Sequence, residues 1–231
     1  MNEILISRHE FKYVLDYSSY FSLCNKLSKL LKKDSHGDNG KYRVRSLYFD
    51  SINNVDYNTK MSGDFDRKKI RLRIYDSKDK KAKLEMKIKK DDYMRKISLI
   101  ISKEDAYKLI NLDYSVLLKY FSYDSASIIY KTMILGSYRP VSMVEYERVA
   151  FLYERYNTRI TFDLNIKSSE CNFDLFDENP IYQDIISNKV ILEVKYNEKL
   201  MKFIKDILVP YNLNRVAVSK YCMGRKYFYN Y

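Results

Sequence analysis

Cationic side chains occupy every second position of the segment 67–74, and apolar side chains occupy the positions between them. The cations are Arg67, Lys69, Arg71 and Arg73. A period of two predicts a β-strand with one charged and one apolar face, because successive side chains of a strand point to opposite sides of the sheet. Such a row of cations can bind an anion, and Arg in particular suits the bidentate recognition of phosphate.

The segment 83–89 repeats this alternation after a polar run at 76–81 that predicts a turn. One face of this second strand carries Lys83, Glu85, Lys87 and Lys89. An ordinary antiparallel hairpin with its charged face in bulk water has the same pattern, so the hairpin alone does not establish an anion site. The interpretation therefore depends on whether the pattern recurs elsewhere.

Strands with an ionic face do recur along the chain. Alternation predicts further strands at 4–14, 42–50, 94–101, 141–153, 158–166 and 189–196. The apolar residues at the end of 42–50 fall on both faces, which leaves the orientation of that strand open. Apolar residues at helical spacing predict helices at 17–32, 102–110, 117–136 (broken near Tyr123), 198–208 and from Ser219 onward, with a short helix or wide turn at 53–63.

The faces of these strands predict the fold class. About eight strands with one ionic and one apolar face cannot form a two-sheet sandwich, because the core of a sandwich needs apolar inner faces. They can close into an antiparallel eight-stranded barrel with an ionic lumen and with helices packed on its outside. We therefore expect an α+β tunnel barrel, and the length of 231 residues suits a single domain over 1–231.

The charge of the predicted lumen indicates what it holds. The strand phases and the terminal helix place ten cations inside, namely Arg8, Lys12, Arg71, Arg73, Lys87, Lys96, Arg148, Arg159, Lys195 and Lys220. The carboxylates inside are Glu10, Glu85, Asp163 and Glu193. Enclosed charges without partners are costly, so an excess of six cations predicts a water-filled site or a bound anion, most naturally phosphate. A lumen of mutually compensating salt bridges would need nearly equal numbers of both charges.

Composition limits the partners and the compartment. The net charge of +12 indicates a polyanionic partner, which could be nucleic acid, an acidic membrane surface or a phosphorylated ligand. The three cysteines are far apart and lack the spacing of metal ligands, which indicates reduced thiols in a cytoplasmic protein without a zinc site. No stretch approaches the length of apolar sequence that a transmembrane helix needs.

Eight short sequence motifs follow one another across nearly the whole chain: RHEFKY, YRVRSLYFD, IRLRIY, LEMK, YERVAF, RITFD, LEVKY and SKY. In this order and spacing the chain resembles the VTC (vacuolar transporter chaperone) domain, a family of polyphosphate polymerases in the triphosphate tunnel metalloenzyme superfamily. The resemblance implies an enzyme that transfers the γ-phosphoryl group of ATP to a growing polyphosphate chain and releases ADP, with Mn²⁺ or Mg²⁺ as cofactor. ATP and inorganic polyphosphate are then the expected partners.

The resemblance also implies roles for individual residues. It matches phosphate-contacting positions to Lys12, Arg71, Arg73, Lys87, Lys96, Arg148, Arg159 and Lys220, and the metal-binding carboxylate to Glu193. We expect Glu85 or Glu10 to assist in holding the metal. Further substrate contacts are expected from Arg8, Lys195, Tyr146 and Ser219.

Two other functions stay open. Tunnel hydrolases usually begin with a Glu-x-Glu-x-Lys strand, whereas this chain has a cation, Arg8, in place of the first carboxylate, which favours polymerase over triphosphatase. A tunnel triphosphatase acting on inorganic triphosphate or a nucleoside triphosphate is the first alternative. The second is a non-catalytic module that binds polyphosphate or nucleic acid. Nucleic acid is not the expected partner. It would need stacking aromatic residues beside the basic ones on an open surface, and the 24 tyrosines leave that alternative open.

Overall fold

A computed structural model of the protein describes residues 8–37, 40–91 and 93–229. Its strands are β1 (Arg8–Asp16), β2 (Lys32–Lys33), β3 (Lys41–Asp50), β4 (Arg67–Ile74), β5 (Lys81–Lys90), β6 (Tyr93–Ser102), β7 (Arg139–Tyr153), β8 (Thr158–Ser169), β9 (Gln183–Asp184) and β10 (Lys189–Asn197). Its α-helices are α1 (Tyr17–Ser28), α2 (Val55–Ser62), α3 (Lys103–Ile110), α4 (Asp124–Leu135), α5 (Lys202–Leu208) and α6 (Lys220–Tyr229). Short 3-10 helices lie at Tyr114–Tyr120, Arg155–Asn157 and Val209–Tyr211.

The strands form one sheet in the order β1-β10-β8-β7-β3-β4-β5-β6, with β2 beside β7 and β9 beside β8. This confirms the predicted α+β class with an antiparallel sheet and helices on its apolar side. Within the described ranges the order ends at β1 and at β6, so the sheet is open rather than closed as predicted. Alternation along a strand determines its two faces but not its neighbours, and closure depends on the neighbours.

The chain divides into two compact units. Among the described residues, unit 1 comprises 8–37, 40–43, 146–166 and 186–218, and unit 2 comprises 44–91, 93–145, 167–185 and 219–229. The expectation of a single domain over 1–231 stays a prediction.

Helix α1 covers the apolar side of the sheet in unit 1. Its first turn is capped by the Asp16 side chain, which accepts a hydrogen bond from the Ser19 amide at 2.7 Å. Leu23 and Leu27, one helical turn apart, are fully buried in a core that also contains Phe162. Burying a leucine side chain contributes roughly 1.5–3 kcal/mol, so this stripe holds the helix on the sheet.

The β4–β5 hairpin has the predicted phase. Leu72 lies opposite Leu84 in the register, and both are fully buried in the core of unit 2. Helices α3 and α4 pack on this side through Leu109 and Ile129. The alternating cations of both strands therefore lie on the other side of the sheet.

Most predicted element boundaries agree with the structure, but several differ. The helix predicted at 17–32 ends at Ser28, and the one predicted at 198–208 begins at Lys202. The predicted break near Tyr123 is confirmed, because Tyr123 precedes α4. Residues 4–7 of the first predicted strand lie outside the described residues.

Strand β3 could not be oriented from the sequence because both of its faces are covered. Leu47 and Phe49 are buried in the core of unit 2 on one side, and Tyr48 is buried on the other. Arg45 shares the core side because Glu145 compensates its charge, with Nε 2.7 Å from Oε2. A strand buried on both faces has no hydrophobic alternation to detect.

Candidate functional site

Six cations and one carboxylate share one side of β4, β5 and β6 in unit 2. We call this set the cationic strip: Lys69, Arg71, Arg73, Lys83, Lys87, Lys96 and Glu85. The strand register places Arg71 directly opposite Glu85, and it places Lys87 between Lys69 and Lys96. The local charge excess predicted from the sequence is therefore present on three neighbouring strands.

Glu85 is the hub of the cationic strip. One of its oxygens lies 2.8 Å from Arg71 Nη2, and the other lies 2.5 Å from Lys96 Nζ. Arg73 and Lys83 follow at 3.8 and 3.9 Å. Burial raises the pKa of this carboxyl group, but the neighbouring cations lower it more, to about 2. Glu85 is thus a permanently ionised counterion.

Three of the four lysines of the strip form a row across the sheet. Lys69, Lys87 and Lys96 occupy directly opposite positions on adjacent strands, where like charges destabilise a sheet. Lys69 Nζ donates to Ser219 Oγ at 2.8 Å and lies 5.6 Å from the ring centre of Tyr221. This row suits a ligand with several negative charges, because such a ligand would offset the repulsion.

The start of helix α6 contributes two of the predicted site residues. Ser219 is buried just before the helix, and its hydroxyl accepts hydrogen bonds from Lys69 and from the Cys222 amide. Lys220 is the first residue of α6 and is half-buried. The next residue, Tyr221, donates its hydroxyl hydrogen to the buried carboxylate of Asp50. These contacts hold the beginning of α6 at the strip.

Unit 1 carries a second ionic cluster, in which opposite charges are balanced. We call it the paired cluster: Glu10, Lys12, Arg148, Arg159, Asp163, Glu193, Lys195 and Asp34. Lys12 Nζ lies 3.0 Å from Glu10 and 3.9 Å from Glu193, and Lys195 contacts the same two carboxylates. Burial lowers the pKa of Lys12, but Glu193 and Glu10 raise it more, so the lysine stays charged.

Two arginines of the paired cluster have dedicated carboxylate partners. Arg148 forms a bidentate pair with the fully buried Asp163, with distances of 2.6 and 2.8 Å. Burial lowers the pKa of Arg148, but Asp163 raises it more, so the pair is ionic. Arg159 donates to Asp34 at 2.6 Å and to the Tyr42 hydroxyl at 2.9 Å. Arginines so engaged can position a phosphate ligand only through their remaining N–H groups.

The residues around Glu193 fit a hard divalent metal ion. Glu193 lies between Lys12 and Thr161 in the strand register, and Thr161 is buried. The Thr161 hydroxyl has no hydrogen-bond partner among the residues that the structure describes, although buried hydroxyls normally have one. Mg²⁺ and Mn²⁺ prefer such oxygen ligands, and Mg²⁺ usually binds through one or two carboxylates while keeping waters or phosphate oxygens. Glu10 can supply the second carboxylate.

Two sequence-based expectations need correction. The six-cation excess does not extend over all the predicted lumen residues, because in unit 1 each cation of the paired cluster has a carboxylate within 4.0 Å. The pairing of Arg159 with Asp34 was not predicted, because Asp34 lies in a segment predicted to be a loop. Glu85 does not fit a metal ligand, since four cations surround it. No group of three or more His, Cys, Asp or Glu with metal-site spacing occurs within the described part of the chain.

Two further predicted substrate contacts lie in unit 1, and their role in substrate binding stays a prediction. Arg8 is exposed at the start of β1, opposite Asn197. Tyr146 is buried, and the Arg148 guanidinium lies 5.3 Å from its ring centre, so it stacks against the paired cluster. Sequence reasoning also left Lys69 and Lys83 out of the site, although both lie on the alternation that revealed the strip.

The sequence pattern of the VTC domain matches residues 7–229. The chain belongs to the VTC domain family. The matched range includes both units of the chain, and therefore every residue of the cationic strip and of the paired cluster. The comparison with curated proteins gives no match.

Solved structures share the fold of this VTC domain at low sequence identity. HpAC1 from Hippeastrum, an adenylyl cyclase candidate described as having a dominant triphosphatase activity, is 12% identical with a TM-score of 0.59, over 95% of this chain and 96% of that one. The protein PH1819 from Pyrococcus horikoshii OT3 is 13% identical with a TM-score of 0.52, over 96% and 99% of the two chains.

Helices long and apolar enough for a membrane crossing are absent from the residues described.

Proposed function

We propose that this VTC domain is a polyphosphate polymerase that transfers the γ-phosphoryl group of ATP to inorganic polyphosphate. The observation that carries the proposal is the cationic strip, in which six cations share one side of three strands with a single carboxylate. A chain of phosphates offers several negative charges at regular spacing, which matches cations that recur along and across neighbouring strands. Membership of the VTC domain family supports the same ligand class.

Phosphoryl transfer asks for positioning and charge compensation rather than for a protein nucleophile. A terminal oxygen of the polymer bonds to the γ-phosphorus while the bond to the bridging β–γ oxygen breaks, and ADP leaves. Arg71 and Arg73 are placed to hold phosphate oxygens with their forked N–H groups, and Lys87 and Lys96 supply point charges. Cations of this kind stabilise the charge on the phosphoryl oxygens during transfer.

The paired cluster is the proposed place of the divalent ion. Glu193 and Glu10 would hold Mn²⁺ or Mg²⁺, with the Thr161 hydroxyl as a further oxygen ligand. Such an ion, when bound, neutralises negative charge on phosphate oxygens. Lys12 and Lys195 each contact both carboxylates, so the ion would compete with both lysines.

The alternative function is a triphosphatase, in which water replaces the polymer as phosphoryl acceptor. It is favoured by the shared fold with HpAC1, the Hippeastrum protein described as having dominant triphosphatase activity. Against it stands Arg8, a cation in the position where hydrolases of this superfamily usually carry the first carboxylate of their opening strand.

Product analysis separates the two functions. The protein is incubated with ATP and Mn²⁺, and the products are resolved by gel electrophoresis and phosphate assay. A polymerase yields ADP and a long polymer that an exopolyphosphatase degrades, whereas a hydrolase yields orthophosphate or pyrophosphate. Arg71→Ala should abolish product formation, while the control Lys32→Ala, which alters an exposed pair with Glu154, should retain it. Orthophosphate without polymer would refute the polymerase proposal.

A further inference from the structure

Tyr48 is a buried tyrosine on the strip side of β3 that neither the sequence reasoning nor the proposed reaction uses. It lies opposite Arg71 in the register, and only 3% of its surface is exposed. Its ring stacks on Tyr221 with centroids 5.2 Å apart, and Lys69 Nζ lies 5.6 Å from its ring centre. Stacking and burial hold the ring in a single position, so its hydroxyl is fixed relative to the cations of β4.

The surroundings of the Tyr48 hydroxyl consist of hydrogen-bond donors. Its oxygen accepts a hydrogen bond from Arg71 Nη1 at 3.4 Å. The neighbouring carboxylates are engaged elsewhere, since Glu85 binds the strip cations and Asp50 accepts from Tyr221 and from backbone amides of α2. Within the described ranges the structure gives no acceptor for the Tyr48 hydroxyl proton, although a buried O–H group normally has one.

The Tyr48 hydroxyl can avoid a buried donor without an acceptor in two ways. Either a bound ligand provides an acceptor atom, or the phenol loses its proton and becomes a phenolate. The charged groups that face the phenol are Lys69, Arg71 and Arg73 on β4 and Glu85 on β5, with the Tyr221 hydroxyl on α6 bound to Asp50. Burial raises the pKa of Tyr48, but Arg71, Lys69 and Arg73 lower it more, to about 8. Tyr48 therefore changes between the neutral phenol and the phenolate close to neutral pH.

We propose that Tyr48 is a further substrate-contacting residue, whose hydroxyl donates a hydrogen bond to a phosphate oxygen held on the cationic strip. The inference rests on the proposed function, because it needs a phosphate ligand. An anion supplies the acceptor that the protein lacks and favours the neutral phenol. The phenolate has the opposite effect, because it cannot donate and adds a negative charge beside the ligand. Phosphate binding should consequently weaken as Tyr48 ionises.

The first measurement is binding of inorganic tripolyphosphate by calorimetry at about pH 7 and about pH 9, for the wild type and Tyr48→Phe. At the lower pH the variant should bind roughly 10-fold more weakly, because one hydrogen bond to a charged acceptor is lost. Between the two pH values the wild type should lose about 10-fold more affinity than the variant, because binding requires the proton that Tyr48 gives up. Ionisation of the ligand itself affects both proteins equally.

The second measurement needs no variant in the site. The ultraviolet absorbance of tyrosinate is followed against pH with and without tripolyphosphate, and Tyr48→Phe identifies the early component. The ligand should move that component to higher pH by about one pH unit, in line with the 10-fold change in affinity. Tyr107→Phe, a tyrosine packed against Phe176 on the apolar side, is the matched control and should behave as the wild type.

Each outcome decides between the hypotheses. If Tyr48→Phe binds tripolyphosphate as tightly as the wild type with the same pH dependence, the role of Tyr48 is refuted while the proposed function stands. An early tyrosinate component that ignores the ligand refutes it as well. If neither protein binds tripolyphosphate, the proposed function fails and this inference fails with it.

Discussion

Glu85→Gln is the most informative single change in this protein. The substitution keeps the size of the side chain and removes the one carboxylate of the cationic strip. Glu85 is 3% exposed and has Arg71 and Lys96 within 2.8 Å, so water cannot replace its charge effectively. We expect the protein without ligand to lose stability, because six cations then share a sheet face without a carboxylate.

The magnitude follows from the pKa of this group. Its value of about 2 lies about 2.5 units below the ordinary 4.5, which corresponds to about 3 kcal/mol of stabilisation by the ionised form. That contribution is complete above about pH 4.5 and is lost as the pH falls towards 2. For a chain of this length, 3 kcal/mol corresponds to a decrease of roughly 6–12 °C in the melting temperature near neutral pH.

Phosphate ligands should reverse part of this loss. Tripolyphosphate at about 100 times its dissociation constant stabilises the wild type by about 2.7 kcal/mol. We expect about 10-fold tighter binding to Glu85→Gln, because the freed Arg71 can turn to the ligand, and this adds about 1.4 kcal/mol. The deficit of the variant should shrink from about 3 to about 1.6 kcal/mol.

The assay is thermal unfolding by circular dichroism with and without tripolyphosphate, for the wild type, Glu85→Gln and the control Glu154→Gln. The control removes an exposed carboxylate paired with Lys32, and such pairs contribute about 0–1 kcal/mol. An unchanged melting temperature for Glu85→Gln, together with activity that returns only at high Mn²⁺, would contradict the counterion role. Glu85 would then be a metal ligand, as the sequence first suggested.

Three further predictions concern other carboxylates. Glu193→Gln should raise the half-saturating Mn²⁺ concentration about 10-fold at fixed ATP, because it removes a proposed metal ligand, and an unchanged value would exclude that role. Arg148→Ala should lower the free energy of unfolding by about 3–5 kcal/mol in a urea titration, since it removes the bidentate partner of the fully buried Asp163. A loss of activity alone would show that the pair adds no stability. Burial and the nearby Asp50 raise the pKa of Asp56 to about 6, so its ionisation opposes folding as the pH rises through 4 to 6. Asp56→Asn should therefore stabilise the protein by about 3 kcal/mol at pH 8 and have almost no effect at about pH 3.

Long-range pairing decided the electrostatics of the paired cluster. Arg159 was predicted to contact phosphate, but its guanidinium donates a hydrogen bond to Asp34, which lies 125 positions earlier in the chain. No local pattern marks Asp34, because it follows a two-residue strand in a segment without alternation. The sequence also could not predict that the hydroxyl groups of Tyr48 and Thr161 lack a hydrogen-bond acceptor among the described residues. Which acceptors surround a hydroxyl group depends on the packing of the folded chain.

The sequence by itself determined which side chains share a face. The alternation of Arg71 and Arg73 with Leu72 is a local property of extended backbone, so it survives whatever the strand pairs with. Only the tertiary structure decided how charges from different strands combine, because strand order and register join residues that are distant in the chain. That is why the cationic face could be predicted, whereas its concentration around Glu85 and the neutralisation of Arg148 by Asp163 required the folded protein.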